Sequence, residues 1–205
     1  MRGLARSGRR PARRLPGRRR RQPLASGVPM NKPESLRAHL LAAVPELRHD
    51  PDRLLIVIDK GRIRSTAAPG LSFEYSYTLN LLLTDFAGHP DAIAIPLLAW
   101  LQVNQSELLV NLEKGKEAIQ FEAEVLANDK VDLSITLPLT ERVIVKRQPD
   151  GTLQVTHAAE PQYTEQLEST HLQVYADGEL IAEWDTPEPT GVALATPHPG
   201  PTRYA

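Results

Sequence analysis

Three aspartates near predicted strand ends are the first residues to consider for chemistry, because carboxylates in such places hold the metal ions of many nucleases. They are Asp59, followed by Lys60, then Asp85, and then Asp129, followed by Lys130. None of them lies in the spacing of a metal-binding motif, and aspartate and lysine are common in turns. We therefore predict no catalytic, metal-binding or cofactor site, and we keep a metal-dependent enzyme as a third hypothesis.

Two short motifs resemble functional signatures but lack essential parts. The tripeptide at 89–91 reads His-Pro-Asp, as in J-domain co-chaperones, but it ends a predicted strand instead of joining two helices. Gly115-Lys116 fails as a phosphate-binding loop, because Val110 stands where glycine is needed and Glu117 replaces serine or threonine. The chain has no cysteine, which excludes disulfides and thiolate chemistry. Together these features favour a protein that is not an enzyme.

Charge divides the chain into a basic beginning and an acidic body. Residues 1–29 hold ten arginines and no acid, so that residues 30–205 carry a net charge of −11 in a chain whose net charge is −1. A segment so poor in apolar residues cannot offset the entropy lost on ordering. We interpret 1–29 as a disordered extension upstream of the native start at Met30. The alternative is an arm that binds nucleic acid through phosphate contacts.

Helix and strand patterns alternate from Met30 onwards. Asn31–Glu34 has the cap, proline and acid of a helix start, and Pro45 is expected to end or bend that helix. The clearest strand is Leu71–Thr84, in which apolar and polar residues alternate. The other predicted elements are strands at 54–59 and 62–66 around a turn at Lys60-Gly61, a helix near 91–103, a weaker helical stretch at 106–116, and hairpins at 118–126/131–137, 142–147/152–157 and 172–175/180–184.

This order of elements predicts an α+β fold, with a mixed or antiparallel sheet, long hairpins and two main helices. We expect a disordered extension at 1–29, an α+β domain at 30–157, a linker and C-terminal hairpin at 158–185, and a disordered proline-rich tail at 186–205. The longest mostly apolar run, 92–101, is too short to span a membrane.

A basic cluster on one strand is the first candidate surface for binding a partner. Lys60, Arg62 and Arg64 are expected to share one strand face, because every second residue points to the same side. A docking patch for an acidic partner and an ordinary solvated face both fit this cluster. Nucleic acid is not an expected partner of the acidic body.

Aromatic residues and a turn supply the remaining candidates for an interface. Tyr75 and Tyr77 belong to a stripe that could stack on bases, but the stripe continues into leucines, which favours packing in the core. Trp100 lies on a helix that is apolar on two sides, and we expect a neighbouring subunit to cover the second side. Asp129 and Lys130 lie in a hairpin turn. This hairpin and the long strand are candidates for pairing with a neighbour's sheet.

Five long stretches of the chain carry a resemblance to a known family. They are MNKPESLRAHLLAAVPEL (30–47), DRLLIVIDKGRIRS (52–65), LSFEYSYTLNLLLTDFAGHPDAI (71–93), LEKGKEAIQFEAEVL (112–126) and NDKVDLSITLPLTERVIVK (128–146). These stretches resemble the tail completion protein R family of P2-type contractile-tailed phages and prophages. A weaker resemblance extends to about residue 184, and residues 1–29 and the last 15 or so depart from the family.

The resemblance implies a structural protein that caps the head-proximal end of a phage tail and makes it competent to join a head. It implies no catalytic residues and no cofactor. It also implies an α+β subunit similar to phage tail terminator proteins, which form rings, often hexamers. The expected partners are other copies of the chain, the end of the tail tube and sheath, and head-connector proteins. The expected locations are the host bacterial cytoplasm during assembly and the virion tail.

Overall fold

The computed structural model describes residues 30–66, 70–111, 115–126, 130–160 and 170–186. Its helices are α1 (Asn31–Ala43), α2 (Pro45–His49), α3 (Asp91–Asn104) and α4 (Glu107–Val110). Its strands are β1 (Leu54–Ser65), β2 (Phe73–Phe86), β3 (Gln120–Val125), β4 (Val131–Arg147), β5 (Leu153–His157), β6 (His171–Ala176) and β7 (Glu179–Asp185). The predicted α+β class is confirmed. The predicted extension at 1–29 and most of the linker and proline-rich tail lie outside the described residues.

Five strands form one antiparallel sheet in the order β1-β2-β4-β3, and β5 lies beside the second half of β4. β6 and β7 form a separate hairpin, in which Asp177 and Gly178 both take positive φ angles. Asp-Gly is a favoured pair for such a two-residue turn. All three predicted hairpins are therefore confirmed.

β1 is one continuous strand, so the turn predicted at Lys60-Gly61 is wrong. The pairing with β2 slips by one residue between Asp59 and Arg62, which makes a β-bulge. Lys60 takes a positive φ of 51° in this bulge. A bulge needs the same local backbone freedom as a turn, but it bends the strand without reversing it.

β4 runs unbroken through Pro138, although the sequence predicted separate strands on either side. β3 pairs with β4 as far as Thr136, and the pairing of β4 with β5 starts only at Val143, so none of the described strands lies along that edge between these two residues. The Thr140 N–H on this edge donates to the side-chain oxygen of Gln105 at 3.2 Å. Because alternate residues of a strand face the same edge, Pro138 also faces the gap, where its missing N–H breaks no ladder bond.

β2 confirms the long alternating strand, with bounds at Phe73–Phe86 instead of 71–84. Its buried side, which we call the inner face, is packed by α1 and α3, and the opposite side of the sheet is the outer face. The largest fully buried side chains of this core are Phe86, Leu36, Leu40, Leu47, Leu54, Leu79, Leu81, Leu83, Ile93, Leu97, Leu101 and Leu137.

The β6–β7 hairpin belongs to the same packed unit, because β7 contacts both α1 and α3. Ala182 of β7 is fully buried. The hairpin thus covers part of α3, where the sequence predicted a neighbouring subunit, while Ile95 and Leu98 on α3 stay exposed. The helical stretch predicted at 106–116 is reduced to α4 in the described residues. No helix among the described residues is long and apolar enough to cross a membrane.

Candidate interaction surfaces

The basic cluster lies in the second half of β1, around and after the bulge. Lys60, Arg62 and Arg64 are all exposed. The prediction that they share one face is correct only for Arg62 and Arg64, which pair with Ser76 and Glu74 on the outer face. The bulge breaks the alternation before Arg62, so spacing of two from Lys60 no longer defines a face.

The two arginines of this cluster differ in their contacts. Arg64 donates to Glu74 Oε1 at 2.9 Å, in an exposed ion pair of the kind that contributes about 0–1 kcal/mol. The side chain of Arg62 makes no hydrogen bond or ion pair with any described residue. Its guanidinium is therefore available to a partner, and a guanidinium is well suited to binding a carboxylate.

The aromatic candidates are mostly used inside the subunit. Tyr77 is 3% exposed and its hydroxyl donates to Glu141 at 2.6 Å. Trp100 is 4% exposed and its Nε1 donates to the Ser35 hydroxyl at 3.1 Å. Tyr75 is half-buried on the same face as Tyr77. A base-stacking platform does not fit the burial of Tyr77, and of the three only Tyr75 keeps accessible surface.

The turn before β4 contains the last two candidates. Asp129 lies outside the described residues. Lys130 Nζ lies 3.7 Å from Asp85 Oδ1, and the Asp85 N–H donates to Asp132 Oδ1 at 2.8 Å. These carboxylates have local partners at the strand end. No group of three or more His, Asp or Glu side chains in the described part of the chain is placed to hold a metal ion.

Glu141 of β4 is the centre of a buried polar network that the sequence analysis missed. Its carboxylate accepts hydrogen bonds from the backbone N–H groups of Asn31 at 3.0 Å and Lys32 at 3.1 Å, and from Tyr77. His157 Nδ1 on β5 lies 3.0 Å from it. The first N–H groups of a helix have no partner within the helix, and negative charge is favoured beside them. Glu141 thus caps α1 from a distant strand, and the cap predicted at Asn31 is wrong.

Lys32 extends the network to the end of α3. Its Nζ donates to Gln105 Oε1 at 2.7 Å and to Glu160 Oε1 at 2.9 Å. Gln105 in turn donates to the Thr140 hydroxyl at 3.1 Å. A buried ammonium group needs such partners, because its desolvation is unfavourable. The network therefore ties α1, β4, the end of α3 and the residues after β5 to one another.

Burial shifts the ionisation of two groups in the network. Desolvation lowers the pKa of Lys32 below its usual value, and Glu160 opposes this shift. Desolvation, together with the hydrogen bond to Glu141, raises the pKa of Tyr77 far above its usual 10.0. A phenolate there would lie buried beside a carboxylate, so the Tyr77 proton is held firmly. The arrangement suits a fixed structural contact and not proton transfer.

One signal in the sequence was sufficient to suspect Glu141. It occupies an inner-face position of β4, in line with Leu137, Leu139 and Val143, all of which are buried. A charged residue within an alternating apolar series is either exposed by a change of register or buried with partners. Its partners lie up to 110 residues away in sequence, so their identity was not predictable from spacing.

Among the described residues, β1 forms one open edge of the sheet and β3, followed by β5, forms the opposite edge, and all three strands carry exposed apolar side chains. On β3, Phe121 and Val125 are 72% and 79% exposed, and on β1 Ile63 is 69% exposed. The side chains of Glu122 and Glu124 on β3 make no hydrogen bond or ion pair with any described residue. Edge strands of this kind are templates for pairing with another chain.

The comparisons with known proteins bear on what these surfaces serve. Residues 30–161 match the family model described as P2 phage tail completion protein R. The tail completion protein R of Escherichia phage P2 is 42% identical to the chain over 156 residues, which cover 76% of this chain and 99% of that protein. The chain belongs to the tail completion protein R family. No solved structure matches it.

Membership of the tail completion protein R family makes this chain a structural protein of phage tail assembly. The family match spans α1 to β5 and therefore contains the whole five-stranded sheet, both main helices and Glu141. The resemblance described from the sequence is confirmed. The nucleic-acid alternative gains no support from these comparisons, and similarity to tail terminator proteins stays a prediction.

Proposed function

We propose that this protein completes a contractile phage tail by capping its head-proximal end, which makes the tail competent to join a head. The observation that carries this proposal is the 42% identity to a tail completion protein over 99% of that protein's length. The protein acts by binding other proteins and catalyses no reaction. The engagement of its buried polar groups with one another, as in the network around Glu141, supports this role.

The cap acts as a ring of identical subunits, with a hexamer as the expected size. A cap must bind the end of a polymer and offer no further site for growth. A closed ring of head-to-tail contacts does this, because rotation uses up both complementary surfaces of every subunit. The open edges at β1 and β3 support such contacts.

The other partners are the end of the tail tube and sheath on one side and head-connector proteins on the other. Of the residues predicted for these interfaces, Lys60, Arg62, Arg64 and Lys130 keep accessible charged groups, and Tyr75 keeps part of its ring accessible. Binding takes place in the host bacterial cytoplasm during assembly, and the virion tail is the second expected location.

Complementation of a P2-type phage that lacks its own tail completion protein tests this function. The full chain, supplied in trans, should restore infectious particles, and electron microscopy should show tails joined to heads. The matched control is the same host without the chain, where headless or overlong tails are expected. A folded chain that leaves the defect unchanged would overturn the proposal.

An activity assay tests the absence of catalysis separately. The purified chain should leave plasmid DNA intact in the presence of Mg²⁺ or Mn²⁺. Cleavage that disappears on Asp59→Ala would contradict a purely structural role. A gel shift with the full chain and with a chain lacking residues 1–29 tests the nucleic-acid alternative, which predicts binding that is lost with that segment.

A further inference from the structure

We infer that the β3 edge of one subunit pairs with the β1 edge of the next, so that the sheet continues from subunit to subunit. This inference rests on the proposed ring and names the surfaces that build it. β1 and β3 are different strands at opposite edges of the sheet. Their contact is therefore head-to-tail, which is the kind of interface that closes into a ring.

Strand direction permits this pairing. Each neighbouring pair in the order β1-β2-β4-β3 is antiparallel, so β1 and β3 run in opposite directions. Phe121 is level with Ile56 within one sheet, so pairing it with Ile63 of the next copy needs strands that are tilted relative to the ring axis, as in a barrel. Neighbouring strands of a tilted, closed sheet keep their alternating directions. The β3 of one copy then meets the β1 of the next as an antiparallel partner, and the alternation continues across the contact.

The exposed apolar residues of the two edges match in one register. Phe121 lies on the inner face, since it pairs with Ile135, and Ile63 lies on that face as the partner of Tyr75. Both are more than two-thirds exposed within the subunit. Placing Phe121 opposite Ile63 buries each against the other and against inner-face neighbours. Aromatic residues paired with β-branched residues are favourable cross-strand pairs.

The same register matches the charges on the outer face. With Phe121 opposite Ile63, an antiparallel ladder places Glu122 opposite Arg62 and Gln120 opposite Arg64. Glu122 and Arg62 both lie on the outer face, and neither has a partner among the described residues of its own subunit. The apolar match and the charge match are independent, because they lie on opposite faces of the sheet.

The bulge in β1 fits this register as well. Ala123, the next inner-face residue of β3, falls opposite the bulge at Lys60-Gly61, where a large side chain would meet distorted backbone. Beyond the bulge, Val125 reaches Ile58, which is half-buried on the inner face. Glu124 falls beside Asp59, so the register places two carboxylates together at this point of the contact, and Lys60 is the next residue of β1.

Reversal of a single charge on each edge tests the pairing in the full chain. Arg62→Glu and Glu122→Arg each place like charges at every contact, and each should raise the concentration needed for assembly roughly tenfold or more, measured by native mass spectrometry. A 1:1 mixture of the two variants should assemble again with alternating subunits, giving even-numbered rings only. The chain carrying both substitutions should assemble like the wild type.

A control and two outcomes separate this inference from the proposed function. The control reverses Lys146 and Glu179, which are also exposed but lie away from both edges, and it should assemble normally. Single variants that assemble like the wild type, or a mixture that stays dissociated, would overturn the pairing. If the wild type and both single variants restore infectious particles equally well in the complementation assay, the pairing is wrong. The proposed role in tail completion would still hold.

Cross-linking gives a second test that does not depend on charge. Since the chain has no cysteine, Phe121→Cys with Ile63→Cys introduces the only thiols. Mild oxidation should produce a ladder of covalent oligomers on a non-reducing gel, whereas either substitution alone should stop at dimers. Tyr175→Cys with Ile63→Cys is the matched control, because Tyr175 is also exposed but lies on β6, outside the five-stranded sheet. Absence of a ladder above the control would contradict the register.

Discussion

Glu141 and Glu122 belong to neighbouring strands of one sheet, but one carboxylate is buried with hydrogen-bond partners and the other is exposed to solvent. Glu141 on β4 is 3% exposed and accepts hydrogen bonds from two backbone N–H groups and the Tyr77 hydroxyl. Glu122 on β3 is exposed and has no partner among the described residues. The central glutamate is satisfied by its own chain, and the edge glutamate is left for another chain.

This difference separates stability from assembly within one small fold. A buried charge is tolerated only when hydrogen bonds and counter-charges surround it, so removing one member leaves the others unsatisfied. An exposed charge is already solvated, and its removal changes the folded subunit little. Substitutions around Glu141 should therefore act on folding, and substitutions on β1 and β3 should act on the contact between copies.

The largest effect is expected from Glu141→Ala. It removes the cap of α1 and leaves Tyr77, Lys32 and His157 without their shared acceptor. We expect a loss of about 3–5 kcal/mol in the free energy of unfolding, the range for breaking a buried charged pair. Urea denaturation at a concentration where the chain is monomeric measures it.

Glu122→Ala is the matched control for this prediction. It should change the free energy of unfolding by no more than about 0.5 kcal/mol, as is usual for an exposed position. Equal losses for the two substitutions would remove the distinction between a satisfied central charge and an unpartnered edge charge.

A smaller effect is expected from Tyr77→Phe. This substitution removes one hydrogen bond to a carboxylate and leaves the ring in place, which should lower the free energy of unfolding by about 1.5–3 kcal/mol. Thermal unfolding of both chains at neutral pH measures the difference. A stability equal to that of the wild type would mean that the hydroxyl adds nothing to the network.

The stability difference between the wild type and Tyr77→Phe is expected to depend on pH, and the direction of that dependence follows from the pKa of Tyr77. The pKa of Tyr77 is raised in the folded state, so the unfolded chain loses this proton near pH 10.0 while the folded chain keeps it. The contribution of Tyr77 is therefore present below pH 10 and declines as the pH rises above it. The stability difference between wild type and Tyr77→Phe should shrink above pH 10. Lys32 titrates in both chains, so its contribution cancels in the difference.

Residue patterns predicted the elements that depend on local periodicity. The alternation along β2, the helix at α3 and the Asp-Gly turn between β6 and β7 follow from spacing and turn chemistry alone, and all are observed. The residues at Lys60-Gly61 predict a turn where the structure has a bulge, because both structures need the same backbone freedom there. Which of the two forms depends on pairing with β2, which is a tertiary contact.

Of the candidate functional residues, the sequence predicted the exposed basic ones on β1 but not the buried network around Glu141. Arg62 and Arg64 stood out as a basic cluster in an acidic body, and they are exposed on one face. The network around Glu141 was missed, because its donors come from α1, β2 and β5 and meet only after folding. Tyr77 and Trp100 are interface candidates in the sequence because they lie in apolar stripes of a strand and a helix, but the fold buries them, since position within a layer decides exposure.

The smallest effect on folding is expected from Arg62→Ala. This substitution tests whether the edge charge acts on assembly and not on the stability of the subunit. The side chain of Arg62 has no partner within the described part of its subunit. The free energy of unfolding of the monomer, measured by thermal unfolding, should therefore change by no more than about 0.5 kcal/mol. The same substitution removes the partner proposed for Glu122 in the next copy and should weaken assembly severalfold. Arg64→Ala serves as the control, because it costs the subunit its exposed pair with Glu74 while leaving Glu122 its partner. If Arg62→Ala destabilised the monomer as much as Tyr77→Phe does, the edge charge would serve folding, and the division of roles between the centre and the edge of the sheet would be wrong.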